Sequence, residues 1–533
     1  MQKVARYSID QNILSFTPRS TYYLELDDQI KSMESKWEEL LSVDRELFSL
    51  LMILPGTNYT KGRMIHYLLS NSKNINRSKH GVRLFDEVDS LIEDQIILFN
   101  LYQMPMAAAL RALMLLAGED YAGRTLKQVN NTRTRKIIMN YVFNRDKKSL
   151  ESMCVKFKSK LRKLFTHVLG QIDMYRLFKF HDLTVLNKYC RDISTGSLYN
   201  LNTCFSVIAF VKGGDEYVIE SDLGGVVSDY LEMKDAAKDG NSQAFKYVLN
   251  KGTIPYEVAL GFKNTYKLDV SITEVHEKGQ KSERQKFKTS EASKRVGAKV
   301  DVDYSKQSIE DLYKYTYLKL DEKDSSEDAE KAFNTLVDKM IKDKEMDIDL
   351  GETVVIVDNS ASMKGDDTRK YHPIVTANII ANRIPNCKSY IFSNEEGKIN
   401  SVLIKPVGET ELWKCLLKAS KEKPDTVVVI SDGYENTVEG MFEHVFNYLK
   451  ETTDKPFDLV HVNPVYDSKV EGGKRLVNSI EPISVENANL FKSQYILHTL
   501  TVGDITKVKN LLRGIFNKQV GGEKYELITG KQI

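Results

Sequence analysis

Residues 353–363 read TVVIVDNSASM. Val354, Val355, Ile356 and Val357 form an unbroken apolar run without polar alternation, the pattern of a strand buried on both faces of a parallel sheet. The run stops at Asp358, and Ser360 and Ser362 follow on a short polar stretch. Ligands of helix-covered parallel sheets collect at the carboxyl ends of the strands, so a carboxylate and two hydroxyls at such an end form a candidate site. Taken alone, an Asp and a Ser after a strand also suit an ordinary helix cap.

Two later segments tip the balance toward a metal. Thr410, in the stretch GETEL, precedes an amphipathic segment over 412–420 and is placed to cap it. Asp432 follows the apolar run 426–430 and is itself followed by Gly433. Asp358, Ser360, Ser362, Thr410 and Asp432 together offer two carboxylates and three hydroxyls. These are hard oxygen donors suited to Mg2+ or another divalent cation, with positions left over for water or a partner's carboxylate. The pattern Asp-x-Ser-x-Ser-Met with a later Thr and Asp resembles the metal-ion-dependent adhesion site (MIDAS) of von Willebrand factor A domains. Ala361 stands where that family more often has Gly; it removes no ligand. A competing enzymatic reading makes Asp358 the nucleophile of an aspartate-dependent phosphohydrolase. Those enzymes place a second Asp two residues on, where this chain has Ser360.

From residue 352 strand and helix patterns alternate. Strands are expected over 353–358, 389–392, 401–404, 426–430, 457–462 and 495–499, and helices over 375–383, 412–420, 441–449 and 505–516. Such alternation predicts a doubly wound, Rossmann-like parallel sheet with helices on both faces. Proline use changes at the same place. Four of the eleven prolines lie before residue 346 and seven after it, and proline breaks helix interiors. Earlier residues read as successive helices over 22–54, 82–102, 106–116, 137–143, 150–169, 226–231, 308–320 and 329–341. The fold class is thus mixed: an α-helical, HEAT-like array over 1–345, an α/β domain over 346–517 and a polar tail over 518–533.

Net charge is only +2 over 533 residues, so attraction to a polyanion must come from local clustering. Between Arg124 and Lys163 there are thirteen cations against Asp146 and Glu151. Within KFKSKLRKLFTHVLG the apolar residues Phe157, Leu161, Leu164 and Val168 recur at helical spacing. That leaves Lys156, Lys160 and Lys163 on the other faces. Cations raised on helices suit phosphate oxygens, with an affinity that falls steeply with salt; the bland alternative is a solvated face or acidic neighbours elsewhere in the chain. Residues 278–299 carry eight basic side chains against two acids, with Phe287 and Val296 as their only large apolar residues. They are expected to form a mobile excursion.

The stretches MPMAAALRAL at 104–113, RKIIMNYVFNRDKKSLE with KLRKLFTHVLG, and KGTIPYEV at 251–258 resemble pieces of a TROVE module. This is the helical-repeat ring of Ro ribonucleoproteins. A TROVE-like array followed by a von Willebrand A domain is the order Ro proteins use. The resemblance implies an RNA-binding protein whose helices close into a ring and take small structured RNAs and single-stranded RNA ends. On that reading Lys136, Arg145, Lys147, Lys160, Arg162 and Lys163 are candidate cationic contacts, and His167 a candidate for stacking and hydrogen bonding; a lone histidine there also reads as simply packed.

Five scattered cysteines without a CxxC pair read as reduced thiols of a cytoplasmic protein, and neither a leader nor an apolar run of membrane-spanning length is expected. The scattered histidines have no recognisable nucleophile or base partner, so no enzyme is expected. The alternative function is a metal-dependent protein-interaction scaffold without RNA binding, for example an adaptor of an AAA+ ATPase.

Overall fold

The computed structural model describes residues 13–18, 25–71, 87–120, 125–193, 195–213, 223–282, 285–287, 295–298, 300–324, 326–343, 350–366, 369–384, 386–398, 403–409, 411–435, 438–465, 474–485, 487–500 and 505–520. The chain divides into two compact units. One comprises 37–53, 57–302 and 509–533, the other 1–36, 54–56 and 303–508.

The helix Leu26–Val43 (α1) is followed, in the first unit, by Arg45–Leu51 (α2), Asn58–Ser70 (α3), Glu87–Gln103 (α4), Met106–Leu116 (α5), Thr132–Phe143 (α6), Lys147–Lys156 (α7), Lys158–Phe180 (α8) and Leu201–Lys212 (α9). Gly225–Lys238 (α10), Ser242–Asn250 (α11), Tyr256–Tyr266 (α12) and Ile272–Lys278 (α13) complete the series. Polar caps set many of the starts. Asp44, Thr57, Asn131, Asp146 and Asn200 each accept a backbone N–H in the first turn, and Ser271 with Glu274 forms a capping box.

Caps also divide what periodicity alone joins. The stretch expected as one helix over 22–54 breaks at Asp44 (φ −146°), whose carboxylate accepts from Leu47 N. The stretch over 150–169 breaks at Phe157, and α8 bends again at Gly170 (φ 66°, ψ −177°). Neighbouring helices pack in pairs: α3 on α5, α4 on α6, α8 on α9, α10 on α11 and α12 on α13. Small residues permit the closest of these approaches. A Cβ at Gly62 on α3 would stand 3.1 Å from Ala112 Cβ on α5. Around α10–α13 the core is Met233, Phe245, Val248, Leu249, Ile254 and Val275.

The second unit holds a five-stranded, wholly parallel sheet in the order β2-β1-β3-β4-β5, with β1 Thr353–Val357, β2 Cys387–Phe392, β3 Thr426–Ile430, β4 Asp458–Asn463 and β5 Ile483–Ser484. Its central strands β1 and β3 are buried along their whole length, as an unalternating apolar run requires. Val354, Ile356, Val427 and Val429 pack against Leu412, Leu416, Phe442 and Phe446 from the helices Leu412–Lys421 and Met441–Thr452.

Three expectations are corrected or relocated here. Residues 495–499 are not a strand but part of the helix Phe491–Leu500; Phe491, Gln494 and Leu497 are buried at intervals of three, and the fifth strand is the two-residue β5. The edge strand expected over 401–404 reduces, among the described residues, to an isolated bridge between Ile404 and Lys398. The helices Ile309–Asp321 and Glu327–Lys342, which the proline pattern assigns to the first domain, group with the sheet. A ladder of rings fixes the first of them there. Tyr313 stacks on Tyr317 (6.2 Å) and Tyr317 on Tyr371 (4.9 Å); the Tyr317 hydroxyl also donates to Ile404 O and accepts from Asn378 Nδ2 (2.8 Å).

All five cysteines are free; four are buried and Cys387 is half-buried. Among the described residues no helix is long and apolar enough to cross a membrane. The 278–299 segment falls partly outside the described residues, and the tail expected over 518–533 lies outside them from 521 onward.

Candidate metal centre and basic helical surface

In a sheet ordered 2-1-3-4-5 the chain winds outward from β1 to β2, then crosses back to β3, leaving a crevice at the carboxyl ends of β1 and β3. Asp358 follows β1 and Ser431 and Asp432 follow β3, with Val357 paired to Ile430 in register and Asp358 N donating to Ile430 O (2.9 Å). The two strand ends thus deliver both carboxylates to the same crevice.

Asp358 is fully buried. Its Oδ1 accepts from Ser360 N (2.9 Å) and its Oδ2 from Ser431 Oγ (2.8 Å). The Ser360 and Ser362 hydroxyls lie 3.0 Å apart, and Ser362 also hydrogen-bonds Asp432. Burial, and after it the Asp432 charge, pushes the Asp358 carboxyl up to about 6. Burial raises Asp432 as well, against hydrogen bonds from Ser362 and Tyr434 N and the nearby Lys474 charge. Four of the five expected oxygen donors, Asp358, Ser360, Ser362 and Asp432, therefore converge. Thr410 lies outside the described residues; Gly408 O, two positions before it, accepts from Ala361 N (3.0 Å).

The donor set fits a hard divalent cation. Two buried carboxylates repel one another, hydroxyl oxygens stand beside them, and an ion between them would offset the burial cost of both charges. Asp358 and Asp432, with the Ser360 and Ser362 hydroxyls, are the groups that would hold it.

Residues that the motif does not contain keep the loop in shape. Asn359 Oδ1 accepts from Asn394 N (2.7 Å) and Ser393 Oγ (2.9 Å), while its Nδ2 donates to Asn394 O (2.7 Å). Gly433 has φ 83°, and a Cβ there would fall 2.4 Å from Lys474 O. Polar residues directly after a strand, Asn359 and Ser431, are the sequence signal for these supports.

The basic stretch is partly neutralised from within. Arg133 pairs with buried Glu93 and half-buried Asp94; Lys163 pairs with Glu119 (2.6 Å) and Lys156 with Glu257 (3.2 Å). Arg145 is half-buried over the Tyr141 and Tyr102 rings (4.4 and 5.3 Å). Lys136 is half-buried on α6, and Lys147 and Lys148 are exposed at the start of α7. Other cations crowd one another. Burial lowers Lys160 and the charge of Arg111 lowers it further; burial and then Arg162 do the same to Lys212. Arg162 itself is exposed, its Nε donating to Val211 O (3.1 Å).

His167 does not fit the role the resemblance gives it. The ring is buried, Nε2 meets the Val129 carbonyl oxygen (3.0 Å), and burial lowers its pKa. It is a packing residue of α8, with no open face for a base.

No family model and no curated protein sequence matches the chain. Among solved structures it is similar to the crystal structure of the Deinococcus radiodurans Ro (RSR) protein, at 13% identity over 85% of this chain and 92% of that one, with a TM-score of 0.34.

Proposed function

We propose that this is a Ro-like, non-enzymatic RNA-binding protein. Its helical unit contacts the phosphates of structured RNA, and its α/β unit is a von Willebrand A-like domain holding Mg2+ or a similar cation at Asp358, Ser360, Ser362 and Asp432, with Thr410 as the fifth donor. The observation that carries the RNA reading is the crowding of like charges on α8 and its neighbours. Lys160 stands near Arg111 and Lys212 near Arg162. A polyanion would relieve that crowding. Lys163 on the same helix and Lys147 and Lys148 at the start of α7 are also exposed, and the Lys163–Glu119 pair is exposed enough to be given up at little cost. The resemblance of the stretches at 104–113 and 251–258 to TROVE modules points the same way.

When bound, the cation neutralises the two carboxylates and presents a positive charge to an acidic ligand. Asp358 and Asp432 hold it, Ser431 orients Asp358, and Asn359 ties the loop to the neighbouring strand end.

Filter binding of a structured small RNA at about 50 and about 200 mM salt tests the reading. The parent protein is expected to lose affinity steeply between the two, and Lys160→Glu with Arg162→Glu to weaken binding and flatten the salt slope by about two. An unchanged slope in the double variant would falsify the RNA assignment. It would leave the scaffold reading, which the convergent metal donors favour independently: an acidic protein partner captured through the cation.

A further inference from the structure

Beyond its bend at Gly170, α8 carries an outer stripe that no core requires. Ile172, Tyr175 and Phe180 are 78%, 58% and 64% exposed. The helix is anchored instead by buried Leu177 and by Phe178, whose ring packs on Phe205 (5.8 Å). Tyr175 and Phe180 meet edge to face, centroids 5.6 Å apart, so each ring keeps a face toward solvent. Large contiguous apolar surface left in water marks a binding surface.

Local charge decides what kind of partner it suits. Lys179 is exposed beside Phe180. The acids nearest in sequence are already engaged: Asp173 accepts from the Tyr189 hydroxyl (3.3 Å), and Asp182 is held by Arg176 through Nη2 (2.5 Å) and Nε (3.1 Å). The first half of the same helix brings Lys160 and Arg162, with Lys212 beside them. Among the described residues no ion pair ties up Lys179, beside the rings, or Lys160 and Arg162 farther back along the helix; open aromatic faces on a helix that also carries such cations suit a chain that is anionic along its backbone and carries flat, unpaired rings. An apolar protein surface would gain nothing from those cations.

We propose that Tyr175 and Phe180 form a stacking platform for unpaired bases of single-stranded RNA, whose phosphates are held by cations of the same helix. The inference rests on the RNA reading above and gives it a specific subsite. Bases in a duplex are already stacked and cannot use it.

The test uses the full-length protein with labelled oligouridylate of about ten nucleotides and a fully paired RNA duplex. Tyr175→Ala with Phe180→Ala, both at exposed positions, is expected to leave the melting temperature unchanged. It should lower oligouridylate affinity about fivefold to a hundredfold per lost stack, with the salt slope and the duplex affinity retained. Lys160→Glu with Arg162→Glu flattens that slope instead. In Tyr175→Trp, tryptophan emission is expected to be quenched as oligouridylate is added, which a purely structural role would not produce. Unchanged oligouridylate affinity in the double alanine variant, or no quenching, overturns the platform while the RNA reading stands. The platform falls equally if the alanine variant keeps its affinity but sediments as a smaller species than the parent, which assigns the surface to a second copy of the chain. A parent protein that binds neither RNA overturns both readings.

Discussion

Asp358 marks the point at which the sheet accepts an unfavourable charge. Its folded pKa of about 6 stands above the ordinary 3.8, so ionisation weakens the fold as pH rises through that interval. A cation held between Asp358 and Asp432, as proposed, would reverse the penalty. At pH 7.5 the parent protein is therefore expected to melt several degrees higher in Mg2+ than in chelator, and Asp358→Ala to melt at the same temperature in both; thermal denaturation in the two buffers checks this. His66 shifts the other way. Burial, then the Arg63 charge, lowers it from 6.5 to about 4 against the Lys127 carbonyl that its Nε2 meets at 3.3 Å. The unfolded chain binds the extra proton first, so this group's contribution is intact above about pH 6.5 and is lost as pH falls toward 4, on the order of 3 kcal/mol in total. The stability difference between the parent and His66→Gln, followed by guanidinium unfolding, is expected to shrink as pH is lowered from 7 to 4.5. Of the site, the meeting of Asp358 and Asp432 is legible in sequence because each follows an apolar run of a parallel strand; one such residue alone reads equally as a helix cap, and it is the pair that singles out a shared strand-end crevice. The burial of His167 is not, since a histidine on an amphipathic helix looks the same in sequence whether its neighbours cover it or not.

At the scale of elements, β1 and β3 can be read directly because burial on both faces leaves no alternation to misread. The helix over 491–500 misleads for the opposite reason. Tyr495, Ile496 and Thr499 favour strands locally, and tertiary packing of Phe491 and Leu497 overrides that preference. Helix breaks stay hidden because Asp44 and Phe157 interrupt apolar periodicity without disturbing its phase. The close approach of α3 and α5 is equally local and equally decisive. Gly62 leaves room only for what is there, so Gly62→Leu, which forces a branched side chain against Ala112 and Leu115, is expected to destabilise the helical unit by about 1–3 kcal/mol. Chemical denaturation of the variant against the parent gives that difference.

Across the whole molecule, each unit is organised around its own buried clusters. Calorimetry is therefore expected to resolve two transitions. Tyr317→Ala, which empties the middle of the ring ladder, is expected to lower only the one belonging to the sheet unit, by about 3–5 kcal/mol in stability. The division near 302 escapes the sequence because proline content reports on local helix, whereas the ladder from Tyr313 to Tyr371 is a contact between residues far apart in the chain.

That separation is wider still between the two carboxylates, seventy-four residues apart (432 minus 358) yet delivered by adjacent strands. A chain emerging from the ribosome exposes Asp358 well before β3 exists, and until β3 has left the tunnel and slid in beside β1 there is nowhere for an ion to settle. On the proposed reading, capture of the cation would date the birth of the sheet, and a polypeptide truncated before residue 426 would carry every donor but Asp432 and lack the second carboxylate that offsets the ion's charge.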